Sequence, residues 1–173
     1  GYLIGDSVRD KDAVASCALL AEMTAWCKSN GTTPFGLLLD IYEEQGLFHE
    51  DLVSITKKGK SGADEIVAMM KNLRSNPPAT LGGSKVVSML DYQNSEQTDI
   101  KSGKTSVLDF PKSDVLQFVT EGGDKVSARP SGTEPKIKFY CSVKTDLKNK
   151  KDYRSVLQTQ IDKISSIKSD LKL

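Results

Sequence analysis

Apolar residues at helical spacing predict two helices in the first part of the chain. The first extends from about residue 10 to residue 28, with apolar positions at Val14, Cys17, Ala18, Ala21 and Ala25. Asp10 and Asp12 suit its start, and Asn30-Gly31 suits its end. Thr33-Pro34 predicts the N-cap and first residue of the second helix, and Gly46 predicts its end. We expect these helices to complete an α/β domain whose strands lie outside this chain.

Short apolar runs in the rest of the chain predict strands. They are Leu52–Thr56, Lys85–Leu90, Val115–Thr120, Lys125–Arg129 and Ile137–Val143. The third and fourth runs flank Gly122-Gly123, which predicts a hairpin. One helix is expected after the first strand and another after the last, in the order β-α-β-β-β-β-α. That order predicts an α+β fold in which a mainly antiparallel sheet carries its helices on one face.

Local signals bound the helices and one polar segment of this second part. Ser61 is expected to cap the first helix, and Asn76-Pro77-Pro78 to end it. Apolar residues at steps of three and four predict a closing amphipathic helix from Leu147 to Leu171. Residues Gln93–Ser106 are polar and show no periodicity, so we predict a mobile loop there.

Composition narrows the class of protein. The 173 residues are 38% hydrophobic and 27% charged, which is typical of globular domains. A net charge of +1 gives no basic stripe for nucleic acid or an anionic membrane. No apolar run approaches the length of a membrane span, and no signal peptide is visible. We therefore expect a cytoplasmic protein, and the opening without Met suggests a fragment of a longer one.

Cysteine and histidine give little support for catalysis or metal binding. Cys17, Cys27 and Cys141 fall in apolar patterns, so we expect three small buried side chains in a reducing compartment. His49 is the only histidine, and nothing in the sequence pairs with it for a zinc site or a catalytic triad. We expect it at the surface, in a link formed by residues Phe48–Asp51.

The strongest chemical signal is Arg129–Lys136, with the sequence RPSGTEPK, between two predicted strands. An arginine fork, two hydroxyls and several backbone N–H groups can converge on one phosphate dianion there. Gly132 permits close backbone approach, and Pro130 and Pro135 stiffen the flanks. The alternative is an ordinary turn with a solvated arginine.

The stretch Arg129–Tyr140, RPSGTEPKIKFY, resembles the phosphate-binding loop of the α-D-phosphohexomutases, the phosphoglucomutase/phosphomannomutase family. The first stretch, Gly1–Asp6 continuing to Arg9–Ala13, resembles the segment after that family's sugar-recognition loop. The resemblance implies that residues 1–46 are the last helices of the third, α/β domain. Residues 47–173 would be the C-terminal phosphate-binding domain, with a TATA-binding-protein-like sheet.

Enzymes of this family move a phosphoryl group between the 1- and 6-positions of a hexose phosphate. A phosphorylated serine donates the group, and Mg²⁺ held by an Asp-rich loop stabilises it during transfer. The last domain holds the phosphate that is not reacting. The resemblance thus implies a hexose phosphate as substrate and the missing upstream domains as the partner of this chain.

The resemblance also implies roles for single residues. Arg129 would be the bidentate phosphate ligand, with Ser131 and Thr133 donating hydrogen bonds and Gly132 contributing its N–H. Lys136 would add a point charge, unless strand alternation turns it away. Glu134 is expected to point outward or to orient the arginine.

In the first stretch of the chain, Arg9 and Lys11 resemble family positions at the wall of the substrate cleft. Lys11 would touch substrate in the whole enzyme. The alternative is a pair of charges at the start of the helix, beside Asp10 and Asp12.

Several parts of a phosphohexomutase have no counterpart in this sequence. It contains no catalytic serine loop and no Asp-rich metal loop, and the sugar-recognition loop would precede Gly1. We therefore predict no catalytic or metal-binding residue in this chain, and no mutase activity from it alone. The preferred sugar stays open. A non-catalytic α+β module that binds nucleic acid or protein is the alternative, and 6% aromatic residues with near-neutral charge disfavour it.

Overall fold

A computed structural model describes residues 3–6 and 9–173, apart from the side chain of Lys60. Gly1, Tyr2, Ser7 and Val8 lie outside the described residues, so part of the first matching segment does too. The helices are α1 (Ala13–Ser29), α2 (Pro34–Gln45), α3 (Gly59–Ser75) and α4 (Tyr153–Asp170), with a 3-10 turn at Lys150–Asp152. The strands are β1 (Leu47–Thr56), β2 (Thr80–Leu81), β3 (Ser84–Asp91), β4 (Glu96–Asp99), β5 (Thr105–Val107), β6 (Leu116–Thr120), β7 (Lys125–Pro130) and β8 (Lys136–Thr145).

The chain divides into two compact units. The first comprises Gly1–Gly46 and Asp146–Tyr153, and the second comprises Leu47–Thr145 and Arg154–Leu173. The predicted helix ends of the first unit are confirmed. The Asp12 carboxylate accepts from the amide of Ala15, and the Thr33 hydroxyl accepts from the amide of Gly36. Gly46 ends α2 with a φ of +93°.

The second unit is an antiparallel sheet in the order β1-β8-β7-β6-β3-β4-β5, with β2 paired to β3. The predicted α+β class is therefore confirmed. Buried residues of α3 and α4 pack with one face of the sheet. The helices contribute Ile66, Met70, Ile164 and Ile167, and the sheet contributes Phe118, Val126 and Phe139 among others. Burying each such side chain stabilises the fold by roughly 1.5–3 kcal/mol.

Strand alternation determines which β8 side chains reach the other face. Ile137, Phe139, Cys141 and Val143 are buried in the core. Because successive side chains point to opposite faces, Lys136, Lys138, Tyr140, Ser142 and Lys144 share the face that the helices leave open. Burial raises the pKa of the Cys141 thiol, which makes it a poor nucleophile.

Two predicted loops are strands. Residues Gln93–Ser106 contain β4 and most of β5, not a mobile loop, and β4 pairs with β3 on one side and β5 on the other. Both strands are almost entirely exposed, so they carry no apolar alternation that the sequence could reveal. The link Phe48–Asp51 is also strand, because β1 pairs with β8 over ten residues from Leu47 onward. His49 is therefore a half-buried strand residue.

Three smaller expectations are also wrong. Helix α3 begins at Gly59, and Lys58 precedes it without a capping side-chain bond, so Ser61 is not its cap. The closing helix begins at Tyr153 because Asn149 caps a separate 3-10 turn before it. Cys17 is exposed, whereas Cys27 and Cys141 are buried, and all three are free thiols. None of the helices described here is long and apolar enough to span a membrane.

Candidate functional site

The loop Ser131–Pro135 connects the adjacent strands β7 and β8, and the backbone fixes its shape at two places. At its base, the amide of Ser131 donates to the carbonyl of Lys136 at 2.8 Å. At its far end, the amide of Lys57 donates to the carbonyl of Pro135, also at 2.8 Å. The loop is thus tied both to its own strands and to the segment before α3.

A polar pocket of about 330 Å³ lies beside this loop. Its walls are Arg129, residues Pro130–Glu134, Lys136, Lys138 and Tyr140. Arg129 and Lys138 are directly paired neighbours on β7 and β8, so their side chains share one face of the sheet. Lys136 lies two residues before Lys138 and points to the same face. Three cationic side chains therefore surround one pocket.

The structure brings together all five residues predicted to bind phosphate: Arg129, Ser131, Gly132, Thr133 and Lys136. Of the two expectations for Lys136, the pocket-facing one is observed. Sequence reasoning assigned no role to Lys138 or Tyr140, which line the same pocket. Their spacing of two and four residues from Lys136 is the signal that could have placed them there.

Glu134 is exposed, and its partner is Lys136, not Arg129. The Lys136 ammonium lies 2.9 Å from the Glu134 carboxylate. The hydrogen bond and the charge of Lys136 hold the pKa of Glu134 below its usual value, with a smaller contribution from Lys138. Among the described residues, neither Arg129 nor Lys138 has a carboxylate partner. Their positive charge is therefore available to an anion.

Gly132 lies at the tip of the loop in open space. A Cβ atom built on it would meet nothing within 4 Å, and its φ lies outside the left-handed region. Its amide has no hydrogen-bond partner within the described part of the chain. Nearby, the Thr133 amide lies 3.5 Å from the Ser131 hydroxyl oxygen, a long contact. The loop thus offers backbone and hydroxyl donors with little internal competition.

The loop also borders a second, larger cleft of about 620 Å³. Gly59, Ala63, Ile66 and Val67 of α3 and Asp114 form its other walls. The α3 part of this lining is apolar, and Asp114 is already paired with Arg74. This cleft lacks the free cations of the polar pocket, so an anion has no reason to prefer it.

Arg9 and Lys11 are exposed in the segment before α1, in the first unit. The amide of Lys11 donates to the Asp10 carboxylate at 2.8 Å. Their predicted role at the cleft wall stays a prediction. The described residues include no group of three or more His, Cys, Asp or Glu side chains that could hold a metal ion.

No family model matches this chain, but its sequence is similar to those of known phosphoglucomutases. The phosphoglucomutase of Staphylococcus aureus (strain MRSA252) is 40% identical over 144 residues, which are 83% of this chain and 26% of that protein. The phosphoglucomutase of Staphylococcus haemolyticus (strain JCSC1435) is 34% identical over 146 residues, 84% of this chain and 26% of that protein. The chain thus spans about a quarter of these relatives' length.

A solved structure supports the fold. The open form of pp63/parafusin, an exocytosis-sensitive phosphoprotein and phosphoglucomutase from Paramecium, matches 95% of this chain and 28% of its own with a TM-score of 0.52. At 16% identity this likeness shows the fold alone. The sequence relatives identify the chain as the C-terminal portion of a phosphohexomutase. Within that family, both of these sequence relatives are phosphoglucomutases.

Proposed function

We propose that this chain grips the non-reacting phosphate of a hexose phosphate in a phosphoglucomutase or phosphomannomutase. In the whole enzyme, that grip would act while a phosphoryl group moves between the 1- and 6-positions of the sugar. One observation carries the proposal: Arg129, Lys136, Lys138 and the loop Ser131–Pro135 surround a single polar pocket. A phosphate dianion needs that combination of fixed cations and converging N–H and O–H donors.

Each group has a distinct part in the proposed grip. The planar guanidinium of Arg129 can donate two parallel hydrogen bonds to two phosphate oxygens. Lys136 and Lys138 supply point charges, while the hydroxyls of Ser131 and Thr133 and the amide of Gly132 complete the donors. Because these groups hold the end of the substrate that does not react, their binding energy serves to orient the other end.

The chemical step would belong to other parts of the enzyme. A phosphoserine and Mg²⁺ are the expected catalytic groups, and the residues of this chain do not fit the metal. The described residues offer no cluster of potential ligands, and the sequence has no Asp-rich loop. The proposed phosphate grip of this chain involves no metal ion. We expect the chain alone to be inactive. Residues outside this chain would select the sugar. The whole enzyme would be cytoplasmic, with its thiols reduced.

An amide chemical-shift titration of the 173-residue chain tests this proposal. Inorganic phosphate and glucose 1,6-bisphosphate are each added to the wild type and to Arg129→Ala. We expect weak binding, roughly millimolar, because a single phosphate grip lacks the rest of the cleft. The shifts should centre on residues 129–138. The phosphate affinity of the variant should be at least about tenfold lower, the loss expected for a bidentate charged contact.

The matched control is Lys125→Ala, which removes a cation from the same strand. Lys125 is exposed and lies four residues before Arg129, roughly 13 Å along the strand. It should bind phosphate like the wild type. If both variants lose affinity equally, the chain merely attracts anions, and the proposed grip is wrong.

A further inference from the structure

Glu134 places a carboxylate at the edge of a pocket that is otherwise suited to an anion. A negative charge there opposes phosphate binding, so its position calls for an explanation. Its geometry is specific. The amide of Lys136 donates to the carbonyl of Glu134 at 2.7 Å, so residues 134–136 form a three-residue turn. This turn brings the two side chains together, and their charged atoms lie 2.9 Å apart.

The turn is held in place from both sides. Pro135 restricts the backbone at its centre, and the carbonyl of Pro135 accepts from the amide of Lys57. The carbonyl of Lys136 accepts from the amide of Ser131. The Glu134–Lys136 pair therefore sits on an anchored backbone, although both side chains reach solvent, with exposed fractions of 61% and 30%. An anchored but exposed pair can open without moving the loop.

We propose that Glu134 is a built-in competitor that occupies Lys136 until a phosphate dianion displaces it. Lys136 is neutralised by Glu134, while Arg129 and Lys138 have no carboxylate partner in the part of the chain that the structure describes. A bound phosphate attracts Lys136 more strongly than one carboxylate does, so the ammonium transfers to the phosphate and Glu134 turns to solvent. The pair thus lowers the affinity for weaker, singly charged anions and lets the loop release its ligand. The inference rests on the proposed function, because it concerns the same pocket.

Two substitutions separate competition from simple repulsion. Glu134→Gln removes the charge, whereas Glu134→Asp keeps the charge but shortens the side chain by one methylene. The probe is inorganic phosphate, titrated into the full 173-residue chain and followed by amide chemical shifts. We expect Glu134→Gln to bind phosphate about two- to fivefold more tightly, the range that exposed ion pairs give. Glu134→Asp should also bind more tightly than the wild type, because its carboxylate reaches Lys136 poorly.

Glu96→Gln is the control for the loss of one negative charge. Glu96 is exposed on β4, three strands from β7 and roughly 14 Å away across the sheet. It should bind like the wild type. If Glu134→Gln has the phosphate affinity of the wild type, Glu134 does not compete with phosphate for Lys136, and the proposal is wrong. It is also wrong if Glu134→Asp has wild-type affinity, because the charge alone would then explain the effect. If no protein in the series binds phosphate, the proposed function fails as well.

Discussion

Gly132 is a glycine that the fold itself does not require. Nothing lies within 4 Å of a Cβ built there, and its φ is one that any residue adopts. Neither backbone conformation nor packing therefore requires glycine at this position. The open space lies beside an amide that lines the polar pocket and has no hydrogen-bond partner among the residues described. A methyl group in that space would keep a phosphate away from the backbone.

Gly132→Ala should therefore separate stability from binding. We expect its free energy of unfolding to be equal to that of the wild type or higher by up to about 1 kcal/mol, because alanine restricts the unfolded chain. Phosphate affinity should fall at least about threefold, since the methyl group obstructs a close N–H contact. Chemical denaturation and a phosphate titration measure the two quantities.

Gly123 provides the opposite case for comparison. It lies in the β6–β7 turn with a φ of +83°, where an L side chain is strained. Gly123→Ala should lose about 1 kcal/mol of stability and keep its phosphate affinity. A stability loss in Gly132→Ala as large as that in Gly123→Ala would show that Gly132 has a structural role after all.

The candidate site illustrates what sequence can predict at this scale. Arg129, Ser131 and Thr133 could be chosen because their donors are chemically distinctive and lie close together in sequence. Lys138 carries no such signal, because a lysine on a strand is usually a solvated charge. Only its register opposite Arg129 places it at the pocket. That register depends on strand pairing, which local sequence does not determine.

At the scale of elements, α4 is joined to the sheet by two ion pairs in different surroundings. Lys163 lies 2.7 Å from Asp124, whose side chain is fully buried in the β6–β7 hairpin. Asp124 also accepts from the Thr120 hydroxyl, and its other carboxylate oxygen is buried without a partner among the described residues. Lys168 pairs with Asp51 of β1, where 42% of the Asp51 side chain is exposed.

Lys163→Met should destabilise the protein by about 3 kcal/mol, because it leaves the buried Asp124 carboxylate without its counter-charge. Adding Asp124→Asn to that variant should recover part of the loss, because no uncompensated charge then remains. Urea denaturation of the single and double variants measures this coupling. Equal stability of Lys163→Met and the wild type would mean that solvent reaches the carboxylate.

Asp51→Asn is the exposed counterpart and should cost less than about 1 kcal/mol at neutral pH. The hydrogen bond from Lys168 holds the pKa of Asp51 below its usual value of 3.8. A carboxylate with a lowered pKa contributes stability that is fully present above its usual pKa and is lost as the pH falls from there through the lower pKa of the folded state. The stabilities of the wild type and Asp51→Asn should therefore approach each other as the pH falls from about 4 towards 2. A difference that persists at pH 2 would contradict this assignment.

The strands near the two ends of the sheet mark the limit of prediction at this scale. Buried strands such as β6 and β8 alternate between core and surface, so their sequences predict them. Strand β5 is exposed along its whole length and β4 nearly so, and the first half of β1 carries the consecutive charged residues Glu50 and Asp51. Their pairing partners hold them in place, and pairing between distant segments leaves no periodicity in the sequence.

At the scale of the whole molecule, the two units differ in how much apolar surface they bury. Along its described length, α1 buries one residue, Cys27, and α2 buries none. Val14 is 82% exposed and Trp26 is 53% exposed. The second unit instead has a continuous core between its sheet and helices. Since tertiary packing supplies most helical stability, α1 and α2 should be the more easily opened helices.

Native-state hydrogen exchange should show this difference directly. Amides of α1 and α2 should be protected at least about tenfold less than those of β6, β7 and β8, because fewer buried contacts oppose local opening. Helix α4 is the internal control: it is also helical, but Ile164 and Ile167 anchor it in the core. Its central amides should be protected like the strands. Equal protection in α1, α4 and the sheet would mean that the first unit derives its stability from a source other than its own core.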